Sequence, residues 1–112
     1  MPAVNRGEIR LVDFGLAAKA RPALILTAPP ANDELDLVTV PLHTTALRGN
    51  RWELTVAKPF LKPGAFHLQQ IQTISIVKLE RRLGTLTADE MHRVLAALGE
   101  RLGINNPQRV SS

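Results

Sequence analysis

Arg21 is the side chain in this sequence best suited to phosphate chemistry. It opens the run Arg21-Pro22-Ala23-Leu24-Ile25-Leu26, an otherwise apolar strand, so its guanidinium can project at the strand mouth while Pro22 fixes the backbone behind it. A planar guanidinium grips two phosphate oxygens at once and keeps its proton near neutrality. The same residues allow a plainer role, an exposed strand-end arginine paired with an acid such as Asp13. Other chemistries are harder to assemble. His43, His67 and His92 are scattered, there is no thiol, and no carboxylate pair stands at ligand spacing, so no metal site and no cofactor are expected. The sequence also lacks a P-loop, a dinucleotide fingerprint and a G-x-S-x-G elbow.

The charge balance fits an anionic partner. Fourteen basic residues stand against ten acidic ones, giving a net charge of +4, and ten of the basic residues are arginine. A GC-rich coding sequence explains that bias equally well, and composition does not choose between RNA, DNA and an acidic protein. With 112 residues, 45% of them hydrophobic and 21% charged, the chain suits one compact domain that dimerisation would help to stabilise. No apolar run is long enough to span a bilayer, no signal-type segment opens the chain and there are no cysteines, so the expected location is the cytoplasm.

The elements that must position Arg21 are mostly strands. Ile9 and Leu11 alternate against Arg10, Val12 and Phe14, and residues 23–26 form a continuous apolar run of buried-strand type. Further strands are expected over residues 37–42, 52–57 and 65–76, with turns at Arg48-Gly49-Asn50 and at residues 59–64. Pro41 lacks an N–H, which predicts a sheet edge or a bulge in the third strand. Thr87-Ala88-Asp89-Glu90 reads as a capping box, and Met91, Val94, Leu95, Leu98 and Leu102 follow at helical spacing before Gly103. The prediction is therefore a mainly β domain over residues 1–104, a strongly curved sheet closed by one helix at about 88–102, and a flexible tail over 105–112.

Several of these segments, in order, resemble the MazF/PemK family of toxins. They are the opener from Gly7 to Phe14, the Arg21-Pro22 strand, Val38-Thr39-Val40-Pro41-Leu42-His43-Thr44-Thr45, Leu61-Lys62-Pro63-Gly64-Ala65-Phe66, Gln69-Gln70-Ile71-Gln72-Thr73-Ile74 and Arg82-Leu83-Gly84-Thr85-Leu86. The resemblance runs from about Val4 to Gly103 and its collinear order is more specific than any one piece. It implies a small SH3-like β-barrel, a homodimer with a groove for single-stranded RNA, and an acidic antitoxin that occupies the same groove. It also implies metal-independent cleavage by the RNA's own 2′-hydroxyl, leaving a 2′,3′-cyclic phosphate and a 5′-hydroxyl.

The site residues follow from that resemblance. Arg21 matches the family's arginine, here read as a phosphate clamp rather than an acid. The family's second position is a threonine or serine after the third strand. Matching from Pro41 puts His43 there and matching the polar pair puts Thr44 or Thr45 there; Thr44 is carried as the catalytic threonine, although one residue of slip would move its side chain to the other face of the sheet. His43 departs from the pattern and is either an acid or base beside Arg21 or a structural histidine at a strand end. Lys19, Thr45, Arg48, Arg51, Gln70 and Gln72 are the expected RNA-binding residues. His67 and His92 read as ordinary surface or strand residues, and Trp52 as packing against the barrel. Gln69 and Gln72 replace an acid and a base of the family pattern, so base preference should differ. The competing functions are a non-enzymatic toxin like the CcdB group, against which the absence of a terminal Trp-Gly-Ile argues, and a catalytically silent member that only binds RNA or antitoxin.

Overall fold

In the computed structural model the described residues are 4–13 and 20–104. The strands are β1 (Glu8–Val12), β2 (Arg21–Leu24), β3 (Leu37–Thr44), β4 (Glu53–Leu54), β5 (Ala65–Ser75) and β6 (Leu79–Thr85), and the helix α1 is Ala88–Leu102. They form one antiparallel sheet in the order β4-β5-β3-β2-β1-β6. The sheet is barrel-like but left open between its edges, β4 and β6. Fold class and helix agree with the sequence reading. Phe14, Lys19 and the tail over 105–112 lie outside the described residues.

The continuous apolar run of β2 exists because both faces of that strand are covered. Ala23 and Ile25 join Val12, Val38, Val40 and Ile74 in one core, while Leu24 and Leu26 join Ile9, Phe66, Leu68, Met91 and Val94 in a second core under α1. The alternation predicted for β1 survives in this arrangement. Its two sets simply go to different cores, Ile9 to the helix side and Val12 to the other. Each such side chain, fully buried, contributes about 1.5–3 kcal/mol.

The helix begins and ends where the sequence says. Thr87 Oγ1 accepts the Glu90 N–H at 3.1 Å, and Glu90 Oε1 accepts the Thr87 N–H at 2.8 Å. Gly103 closes it in the left-handed region at φ 76°. Lys58 Nζ lies 2.7 Å from Glu90 Oε1, and this bond, with the Thr87 N–H, holds the Glu90 carboxyl below its ordinary range.

Two strands differ from expectation. The fourth is only Glu53–Leu54, because the chain beyond it turns to the helix, where Arg93 Nη2 donates to the Thr55 carbonyl at 3.1 Å. The third runs two residues further, to Thr44, and is internal to the sheet. Pro41 is accommodated there by an irregularity in the β3–β5 register, as its missing N–H requires.

Candidate active site

That irregularity shapes the site. Between the pairs Pro41↔Ile71 and His43↔Phe66, β3 holds Leu42 alone, while β5 holds the four residues His67, Leu68, Gln69 and Gln70. The excess chain bulges from β5 and bends it, so its first part lies between β3 and β4 while its last part pairs with β3. A cavity of about 600 Å³ lies at this bend, lined by Arg21 from β2, Leu42 and Thr44 from β3, and Gln70 and Gln72 from β5. Ala46 and Arg48 line it from the loop after β3, and His67 and Ile71 complete the β5 wall.

Strand alternation explains why these side chains meet. On β2 the row Arg21, Ala23, Ile25 faces the core that also holds Val38 and Val40 of β3, and Leu42 packs against it. Two residues past Leu42 on the same face is Thr44. The pair Ala23↔Leu42 fixes the β2–β3 register, and continuing it by two residues sets Arg21 level with Thr44. On β5 the row Ile74, Gln72, Gln70 belongs to this face too. Three apolar rows thus end together in polar groups.

Arg21 is exposed at the strand mouth, and its Nη2 donates to the His43 carbonyl at 2.8 Å, which ties the guanidinium to the end of β3. Thr44 Oγ1 accepts the Ala46 N–H at 3.0 Å, which fixes the hydroxyl oxygen. Arg48 is set by its loop. The Glu53 carboxylate accepts the N–H groups of Arg48 and Gly49 at 2.7 Å each and of Asn50 at 3.1 Å. These bonds, that from Arg48 first, hold the Glu53 carboxyl below its ordinary range, and attraction to His67 adds to them. Among the described lining residues there are two guanidinium groups and no carboxylate.

His43 stands elsewhere. The residue is 5% exposed and its ring lies on the helix-side face of β3, with its centroid 5.2 Å from Phe66 in an edge-on contact. Burial, and then the Arg21 charge, lower its pKa, so the neutral ring is favoured. Arg21 holds its backbone carbonyl, and its imidazole is not among the cavity's lining groups. The expectation of an acid or base at His43 therefore does not fit the geometry; alternation along β3 points Thr44 into the cavity and His43 away from it.

Of the expected RNA-binding residues, Arg48, Gln70 and Gln72 line the cavity. Thr45 is exposed beside it without lining it. The Arg51 guanidinium lies over the Trp52 ring, 4.3 Å from its centroid, and Arg101 of α1 approaches the same ring at 5.4 Å. Trp52 itself packs against the helix-side core, as expected. Lys19 lies outside the described residues. Leu42, Ala46, Ile71 and His67 line the cavity without having been expected there, and of these His67, read from sequence as ordinary, is the one with a titratable side chain. The signal lay in the length of β5, whose extra residues only a paired register reveals.

A small open barrel with a cationic, hydroxyl-bearing hollow where three strand rows end defines a class of compact proteins suited to holding an anionic chain. Comparison with known proteins makes the assignment specific. Residues 5–102 match the model of the PemK-like, MazF-like toxins of type II toxin–antitoxin systems, and the chain belongs to that family. It is 33% identical over 93 residues to endoribonuclease MazF3 of Mycobacterium tuberculosis, covering 81% of this chain and 90% of the relative. Among solved structures it is similar to Mycobacterium tuberculosis toxin MazF-mt6, with 31% identity, TM-score 0.70, and 85% and 95% of the two chains covered. It is also similar to a mycobacterial endoribonuclease solved in complex with its cognate antitoxin, with 25% identity, TM-score 0.75, and 92% and 96% covered.

Proposed function

We propose that the protein is an endoribonuclease toxin that cleaves single-stranded RNA without a metal ion, leaving a 2′,3′-cyclic phosphate and a 5′-hydroxyl. The observation that carries this reading is the meeting of Arg21, Arg48 and Thr44 in one cavity with no carboxylate among its described lining residues. In such a reaction the substrate brings its own nucleophile, the 2′-hydroxyl next to the scissile phosphate. The protein has to align that hydroxyl and neutralise the charge that grows on the phosphate oxygens. Arg21 is placed to neutralise that charge, because one Nη2 hydrogen bond anchors it on the β3 backbone and the guanidinium carries further donors that suit phosphate oxygens. Thr44 serves the alignment. Its oxygen already accepts the Ala46 N–H, so its hydroxyl proton is available to a phosphate oxygen or the 2′-oxygen. Gln70 and Gln72 offer amides to base edges, and Arg48 holds a neighbouring phosphate.

Two partners belong to the same proposal. A relative solved with its cognate antitoxin supports a matching antitoxin here, an acidic chain attracted by the net charge of +4 and competing with RNA for the cavity. A homodimer in the cytoplasm would complete the groove. No helix among the described residues is long and apolar enough to cross a membrane. The test is to incubate the purified protein and Thr44→Ala with an unstructured RNA in EDTA and to analyse the fragment ends. Cyclic-phosphate ends from wild type alone support the proposal; an intact RNA, or 3′-hydroxyl ends, would reject it.

A further inference from the structure

We propose that His67 is a catalytic residue of this site, donating the proton that the 5′-oxygen of the leaving nucleotide requires; the inference rests on the endoribonuclease reading. Breaking the P–O5′ bond sends its electron pair to the 5′-oxygen, an alkoxide too basic to leave unprotonated without a large barrier. Arg21 and Arg48 hold their protons too firmly to supply one, and the Thr44 hydroxyl and the Gln70 and Gln72 amides do not titrate near neutrality. Among the described lining residues, His67 alone carries a group that gives and takes a proton in that range.

The geometry gives that group a direction. His67 lies in the β5 bulge, one residue past Phe66, whose buried ring faces the helix-side core, so the imidazole is turned to the cavity face with Arg21 and Thr44. Its Nδ1 is shielded from solvent and has no hydrogen-bond partner among the described residues, which leaves Nε2 as the nitrogen a ligand can reach. Glu53 pairs with His67 in the β4–β5 register, which sets the imidazole next to the strand whose carboxylate also holds the Arg48 loop. The other charged groups around the cavity are Arg21 from β2 and Arg48 from the loop after β3; the His43 ring of β3 is on the opposite face.

In the resulting step the 2′-oxygen bonds to phosphorus and the P–O5′ bond breaks. The 2′-hydroxyl proton passes to water, His67 Nε2 protonates the 5′-oxygen, and the neutral imidazole then regains a proton from solvent. The experiment measures single-turnover cleavage in EDTA by wild type and His67→Gln across pH. Two substrates are compared, an ordinary RNA and the same RNA with sulfur replacing the 5′-oxygen at the cut, a leaving group that needs no proton. Proton transfer of this kind is worth about 10²–10⁴-fold. The expected result is a loss of that size for His67→Gln on ordinary RNA, disappearance of the alkaline fall in rate, and near-equal rates on the sulfur substrate. Equal cleavage of ordinary RNA by both proteins with one pH profile would overturn the role of His67 while leaving the ribonuclease reading intact. An equal loss on both substrates would overturn proton donation and make His67 a positioning residue. Failure of wild type to cut either RNA would bring down both readings.

Discussion

Gly64 couples the stability of the fold to the position of Thr44, the proposed aligning residue, and Gly64→Ala tests that coupling. The residue is buried immediately before β5, where Ala65 pairs with Thr44 at the end of β3. A Cβ added there would collide with the Thr44 carbonyl oxygen and come within 2.9 Å of His43 Cε1. The φ angle of Gly64 is outside the left-handed region, so the cost is one of contact rather than backbone strain. The obstructing atom belongs to a strand backbone and cannot rotate away, so β3 and β5 must part locally. Overpacking of this kind costs about 1–3 kcal/mol. At about 4 °C or more per kcal/mol for a domain of this size, the melting temperature should fall by at least about 4 °C. Displacing Thr44 by the ångström or so needed to admit the methyl group should also slow RNA cleavage by about 10²-fold, beyond any loss of folded protein. Gly84→Ala is the control, because there the added Cβ meets the Phe60 ring at 2.6 Å, a side chain that can shift, and neither residue lines the cavity. The assay pairs thermal melting with cleavage rates normalised to folded protein. A Gly64→Ala protein with wild-type melting and wild-type rate would refute the reasoning, and so would a Gly84→Ala protein equally impaired in catalysis.

Other perturbations separate fold from site. Arg21→Ala should lower kcat by about 10²–10³-fold, the cost of removing one electrostatic stabiliser, with unchanged melting because the side chain is exposed; normal turnover would remove Arg21 from the mechanism. Glu53 has a folded pKa below its ordinary 4.5, so its support for the 48–50 loop is complete above that value and disappears as pH falls through the folded one. Amide exchange at Arg48, Gly49 and Asn50 should accelerate over that acid window, and Glu53→Gln should show the acceleration at neutral pH. Thr87→Ala removes the cap of α1 and should cost about 0.5–2 kcal/mol in denaturant unfolding while leaving cleavage rates unchanged.

The parts of this fold that were legible in sequence are those fixed by local chemistry. Thr87 and Glu90 announce the start of α1, Gly103 its end, and Pro41 the irregularity in β3. The place of Arg21 at the strand mouth was legible because an arginine heading an apolar strand has few places to go except the rim, while its assigned role came only with the family resemblance. What sequence could not supply was pairing. The choice between His43 and Thr44 depends on which face of β3 each occupies, and that follows from the burial of Phe66 against the His43 ring, a contact 23 positions apart in the chain. His67 was invisible for the same reason: its place in the cavity is set by four residues of β5 standing opposite one of β3. The place of Arg51 over the Trp52 ring, outside the cavity lining, likewise depends on the core that fixes Trp52 beside it.

The central claim is that this cavity aligns the RNA's own 2′-hydroxyl against the phosphate, and substituting that one atom tests it most directly. An unstructured RNA with a single 2′-deoxynucleotide on the 5′ side of a mapped cut should be incubated with the protein in EDTA beside the all-ribose strand. The account predicts that the cut at that position disappears while the modified strand still competes for binding. Cleavage that persists at the deoxy position would mean that water or a protein group is the nucleophile, and would contradict the account.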